Sequence, residues 1–201
     1  MKQLIKYIPV YLSLFLLASC MPPQEQKEVP PAIKHNYIIL LDLSDRLIVQ
    51  DNQPERDKEL IKYIYTLFEE RVKNQLYLRS RDEIRVVIAH QRGADLQSEV
   101  YEDSLYINME STPAVLRRKK EEERRSTFFN NVDQLYDKAV FSSNPKAYYG
   151  ADIWKYFYED LKVDYVNDSL TQNFLFLFTD GYPIVGKDLT KLQSVNQTYP
   201  D

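Results

Sequence analysis

Apolar residues fall into two kinds of run along this chain. Three runs are short and nearly unbroken: Asn36 to Leu43 (NYIILLDL), Ile84 to Ala89 (IRVVIA) and Phe174 to Phe178 (FLFLF). Strand length and β-branched or aromatic content predict strands buried on both faces. Ser104 to Met109 alternates more weakly and suits a sheet edge. Between these runs the spacing changes to three and four residues. A helix opens at Pro54 and carries Leu60, Ile61, Ile64, Leu67, Phe68, Val72 and Leu76 on one stripe. Thr112-Pro113 starts a second helical region that reaches about Val140, with Phe128, Phe129, Val132, Leu135 and Tyr136 turned to the core. After Asn144-Pro145 a third begins near Gly150 and is expected to bury Ile153, Trp154, Phe157 and Leu161. Strands alternating with helices predict an α/β fold, a mainly parallel sheet flanked by helices.

The chain start reads differently. Lys2 and Lys6 precede an apolar run from Ile8 to Ala18, broken only by Ser13 and followed by Cys20, Pro22 and Pro23. That is the layout of a secretory signal peptide, too short for a membrane span of ~20 residues. Leu17-Ala18-Ser19-Cys20 resembles the lipobox of bacterial lipoproteins, which implies cleavage after residue 19 and a diacylated Cys20 as the first mature residue. Residues 20–35, with Pro22, Pro23, Pro30 and Pro31, form an extended tether, and residues 36–201 form the domain. The implied location is the bacterial cell envelope, at the outer membrane, with the membrane contacted through the lipid. Cleavage removes two lysines and no acid, so the formal charge of −4 becomes −6.

Composition narrows the chemistry. Two hundred and one residues suit one domain with extensions. The acidic balance argues against a general nucleic-acid binder. Four glycines, with no GxGxxG and no GxxxxGK[ST], exclude the dinucleotide and phosphate loops of those kinds. One Cys and two His provide no zinc-type cluster. Arg117 to Arg125 (RRKKEEERR), with Arg117/Glu121 and Arg118/Glu122 at four-residue spacing, reads as a solvated helix projecting from the body.

Ligands of parallel sheets bind outside the carboxyl ends of the strands, and two motifs lie there. Asp42-Leu43-Ser44-Asp45-Arg46 leaves the first strand and Thr179-Asp180-Gly181 leaves the last, so Asp42, Ser44 and Asp180 converge if those strands are neighbours. Their oxygens suit a hard cation such as Mg²⁺. The combination resembles the von Willebrand factor type A domain, a Rossmann-like fold whose strand-end DxSxS, loop threonine and second strand-end aspartate form a metal-ion-dependent adhesion site. By that resemblance Asp42 and Ser44 match the first two metal positions and Asp180 the last. Arg46 stands at the third DxSxS position, and Lys146 to Tyr149 offers no threonine before Gly150. A degenerate site follows, in which the Arg46 guanidinium lies within salt-bridge distance of Asp42 or Asp180 and supplies the charge a metal would bring. The alternative is a weakly held Mg²⁺, with Asp45 or water completing its shell.

The function expected on these grounds is non-catalytic: a lipid-anchored envelope protein whose domain binds or assembles with another envelope protein. The competing expectation is a metal-dependent phosphohydrolase using Asp42 as nucleophile, although Ser44 stands where the dehalogenase-like DxD motif needs its second acid. No GxSxG elbow is present, and neither His35 nor His90 has a triad partner legible in sequence. The resemblance also implies two more strand and helix units after the TDG turn, whereas Tyr182 to Asp201 suffices for one short helix. The expectation is a C-terminally truncated domain, its last strand at a sheet edge, or a sheet completed by another chain.

Overall fold

The computed structural model describes residues 32–49, 51–91, 101, 103–139 and 150–181. The expected leader, Cys20, most of the tether, Val140, Lys146 to Tyr149 and the tail from Tyr182 lie outside these residues.

Strand β1, Lys34–Leu41, begins two residues before the expected boundary, so Lys34 and His35 belong to the sheet and not to the tether. It pairs in parallel with β2, Glu83–Ile88, on one side and with β6, Thr171–Phe178, on the other. Two-residue strands β3, His90–Gln91, and β5, Ala151–Asp152, pair antiparallel apart from this sheet. The short β4, Tyr106–Asn108, adds antiparallel to β2, giving the order β4-β2-β1-β6. The fold is α/β with a mostly parallel sheet, and among the described residues the weakly alternating run takes the edge.

Alternation along β1 divides the core in two. Tyr37, Ile39 and Leu41 meet Ile61, Ile64, Tyr65, Phe68 and Val72 of helix α2, Gln53–Asn74, which follows the single turn α1, Arg46–Val49. Helix α3, Arg117–Asp137, adds Phe128, Val132, Leu135 and Tyr136 to the same side. Ile38 and Leu40 face the other way, toward Ala151, Ile153 and Tyr156.

Three expectations change. Leu60 and Leu76 leave the stripe: Leu60 is exposed on α2, and the helix ends at Asn74, after which Leu76 and Tyr77 both take left-handed backbone at φ 53° and 60°. Such conformations are costly for bulky residues and persist only where the surroundings over-determine them. Arg117 provides that constraint, its Nη1 donating to the carbonyls of Tyr77, Leu78 and Ser80. Trp154 and Phe157, expected in the core, are 47% and 37% exposed. The segment is not one regular helix: α4, Ile153–Lys155, passes through a π-helical turn, Tyr156–Asp160, into α5, Leu161–Asp164. Tyr156, three residues after Ile153, takes the buried position beside it, and Phe157 is left partly exposed. In β6, Phe178 is buried and Phe174 and Phe176 are half-buried, whereas Leu175 and Leu177 are exposed. They share the face of their register partners Ile38 and Leu40, which Ile153 and Tyr156 cover, yet stand partly open beside it.

The charge block is solvated only in part. Arg118–Glu122 and Lys120–Glu123 pair on the exposed side at 3.0 and 3.1 Å. Glu121 faces inward, buried against α2, and accepts from Tyr65 Oη at 3.0 Å. Burial pushes its carboxyl above the usual 4.5, and neighbouring Glu69 adds to the rise, against the Tyr65 hydrogen bond. The folded state therefore holds this proton more tightly than the unfolded chain does. Between 4.5 and the raised value, stability falls as pH rises, and above both the full cost of the buried charge remains. Glu121→Gln, which keeps an acceptor for Tyr65, should melt higher than the wild type at pH 7.5, with the difference shrinking as pH approaches 4.5. Thermal unfolding by circular dichroism checks this; a variant that melts lower at every pH would assign Glu121 a stabilising role.

Candidate functional site

Leu41 and Phe178 are register partners, so the two motifs leave the sheet side by side. The Asp42 N–H donates to the Phe178 carbonyl at 3.0 Å and continues the ladder one step beyond the strands. Asp42 Oδ1 then accepts from the Ser44 N–H at 2.9 Å, the local turn that a strand-end aspartate favours. Its other oxygen, Oδ2, accepts from Thr179 Oγ1 at 3.0 Å. Thr179 Oγ1 in turn accepts from the Gly181 N–H at 3.1 Å. Gly181 sits at φ 81°, with nothing within 4 Å of where a Cβ would stand, so the turn requires glycine for its backbone angle and not for space.

Arg46 opens α1 and folds back beneath it. The Leu47 and Ile48 N–H groups donate to the Ser44 and Asp45 carbonyls, and the Arg46 N–H lies 3.4 Å from Ser44 Oγ. Arg46 Nε donates to the Asp42 carbonyl at 2.7 Å and stands 3.9 Å from Asp42 Oδ2, while Nη2 donates to Asp57 Oδ2 at 2.5 Å. Asp57 is held from two more directions, by Gln53 Nε2 at 2.8 Å and Tyr136 Oη at 3.0 Å. Burial, reinforced by Asp57, pushes the Tyr136 hydroxyl far above its usual range, so it stays protonated and donates. Asp42, Ser44, Asp45, Arg46 and Asp57 are all buried. Charges this dry persist only when paired and hydrogen-bonded.

Asp42, Ser44 and Arg46 thus meet as their spacing suggests, with Asp45 buried in the same turn. Asp180 follows Thr179 and is half-buried. Asp57 is the second carboxylate on the guanidinium in these contacts, and sequence reading passed over it. A signal was present: Asp57 lies four residues before Ile61 and seven before Ile64, an acid on the apolar stripe of an amphipathic helix. Tyr136, four residues after Val132 on the buried face of α3, reads from its spacing as packing alone.

Mg²⁺ requires several oxygens turned to one empty point. Here both Asp42 carboxylate oxygens are turned to protein donors and a guanidinium stands where the cation charge would be. No group of three or more His, Cys, Asp or Glu side chains able to hold a metal occurs among the described residues. The residues as placed do not fit a resident divalent ion.

No family model, curated protein or solved structure matches the chain.

The site's own geometry therefore carries its interpretation. Beside it, between α2 and β6, runs a groove of about 460 Å³ with Arg46, Gln53 and Asp57 at one end and Leu60, Tyr63 and Phe176 along its walls. Among the described residues no helix is long and apolar enough to cross a membrane.

Proposed function

We propose that this chain is a non-catalytic binding or assembly module of the bacterial envelope, a von Willebrand A-like domain anchored through a lipid on Cys20 and working without a resident metal. One observation carries the reading: the Arg46 guanidinium joins Asp42 to Asp57 inside a dry strand-end cluster. A fixed internal cation takes over the structural part of a metal's role, holding the two strand-end loops together, and leaves binding to the surface around them. The same arrangement weighs against the phosphohydrolase. A carboxylate nucleophile has to be approached by its substrate, and Asp42 is 1% exposed with both oxygens already accepting hydrogen bonds.

The test uses the full chain in detergent-solubilised envelope. Capture of a partner protein should be unaffected by EDTA, and a generic phosphate ester with Mg²⁺ should show no turnover. Mg²⁺-dependent hydrolysis that disappears in Asp42→Asn would replace this reading with the enzyme.

A further inference from the structure

The two ends of the main sheet are finished differently. At one, β4 is three residues long and antiparallel, with Tyr106 and Asn108 hydrogen-bonded to Glu83 and the Arg81–Glu110 pair close by. A short edge with charges nearby is how sheets avoid adding strands. At the other, β6 runs for eight residues as TQNFLFLF, without a charge or a proline, and among the described residues it has one neighbour, β1. Both faces beside this edge are apolar. Phe174 and Phe176 alternate with Leu175 and Leu177, which are 37% and 42% exposed on the face away from α2. On the α2 face, Leu60 and Tyr63 are exposed along the groove wall.

We propose that two copies of this chain pair edge to edge through β6, antiparallel about a twofold axis perpendicular to the sheet. Such an axis keeps equivalent faces together, so residues of the same parity meet. With Leu175 on the axis, Phe174 of one copy stands opposite Phe176 of the other, and the α2–β6 grooves of the two copies face each other across the joint. The absence of ionisable side chains favours self-pairing, because a strand matched to its own reverse opposes no like charges. The contact is isologous and closes at two copies, so an edge that would otherwise recruit strands without limit is used up. The strip is about 27 Å long at ~3.4 Å per residue, and it combines main-chain pairing with apolar contacts on both sheet faces. Those are the elements of an interface of the standard ~800 Å² per partner. The four-stranded sheet becomes the half of a continuous larger one. This goes beyond the binding-module reading and does not depend on the Arg46 cluster.

The experiment uses the full chain with Cys20→Ser, so that an introduced thiol is the only one. In an antiparallel pair about Leu175 the two Cβ atoms come within disulfide reach. Mild oxidation of Leu175→Cys should therefore give a covalent dimer, while Val115→Cys, exposed on the turn before α3, should give none. In sedimentation the unmodified chain should be a dimer, and the double variant Leu175→Lys with Leu177→Lys a monomer with its circular dichroism unfolding transition retained. A monomer at every soluble concentration without Leu175→Cys cross-linking overturns the proposal. So does slow amide exchange along 171–178 in a monomer, which would mean that the chain covers its own edge, or a stoichiometric complex in which a different protein protects it.

Discussion

Arg46→Ala is expected to destabilise the folded protein by about 3 kcal/mol, the low end of the ~3–5 kcal/mol that removing one partner of a buried ion pair costs. The low end applies because Asp57 keeps its donors Gln53 and Tyr136, and Asp42 keeps Ser44 and Thr179. What remains without compensation is charge: two buried carboxylates lose the guanidinium between them. Urea unfolding measures the effect, and a double-mutant cycle identifies its source. Asp57→Asn combined with Arg46→Ala should cost at least ~1 kcal/mol less than the sum of the single changes, since neighbours in one network do not add. Additive effects would show that Arg46 works by packing and not as the internal cation. Arg46→Lys should not restore stability fully, because one ammonium cannot direct Nε to the Asp42 carbonyl and Nη2 to Asp57 at once.

Asp82→Ala should cost about 2–3 kcal/mol, from the loss of an acceptor that serves several donors, one of them charged. Asp82 is fully buried just before β2. It accepts from the His35 N–H at 2.7 Å, from Gln75 Nε2 and Ser80 Oγ at 3.3 Å, and stands 3.3 Å from Arg71 Nε. One side chain thereby joins the start of β1, the end of α2 and the entry to β2. Asp82→Asn, which keeps an acceptor but loses the charge, should fall between wild type and alanine in the same unfolding assay. Equal, small effects of both changes would show that the strand register holds without this side chain.

Much of the fold was legible because periodicity reports burial. The three apolar runs became β1, β2 and β6, and the stripes of α2, apart from Leu60 and Leu76, and of α3 point where their spacing places them. The failures have local causes. Trp154 and Phe157 read as core because large apolar residues near helical spacing are taken to face inward, whereas the inward pair is Ile153 and Tyr156. FLFLF reads as covered on both faces, but apolar content does not say whether a neighbour is present to cover Leu175 and Leu177. At the site, the strand-end Asp42 and Ser44 were visible as a motif, and the inward turn of Arg46 followed from its place among them. Asp57 and Tyr136 were not, because a helix stripe is read for its apolar members and polar exceptions are passed over. Glu121 is hidden for the same reason, as one inward acid inside a run of charges.

The central position of β1 sets a clock on biogenesis. Its β2 side is joined through α1 and α2, but its β6 side waits for residues 137 positions further along the chain. In the N-to-C order in which the chain is made or exported, that partner is the last of the described strands to emerge. During this interval a strand buried at all but one of its positions has one edge open, and pairing across so long a loop is slow even once both halves exist. Folding rate, and with it the chance that β1 captures a strand from a neighbouring nascent chain, should respond far more to changes in β6 than to equally destabilising changes in α3.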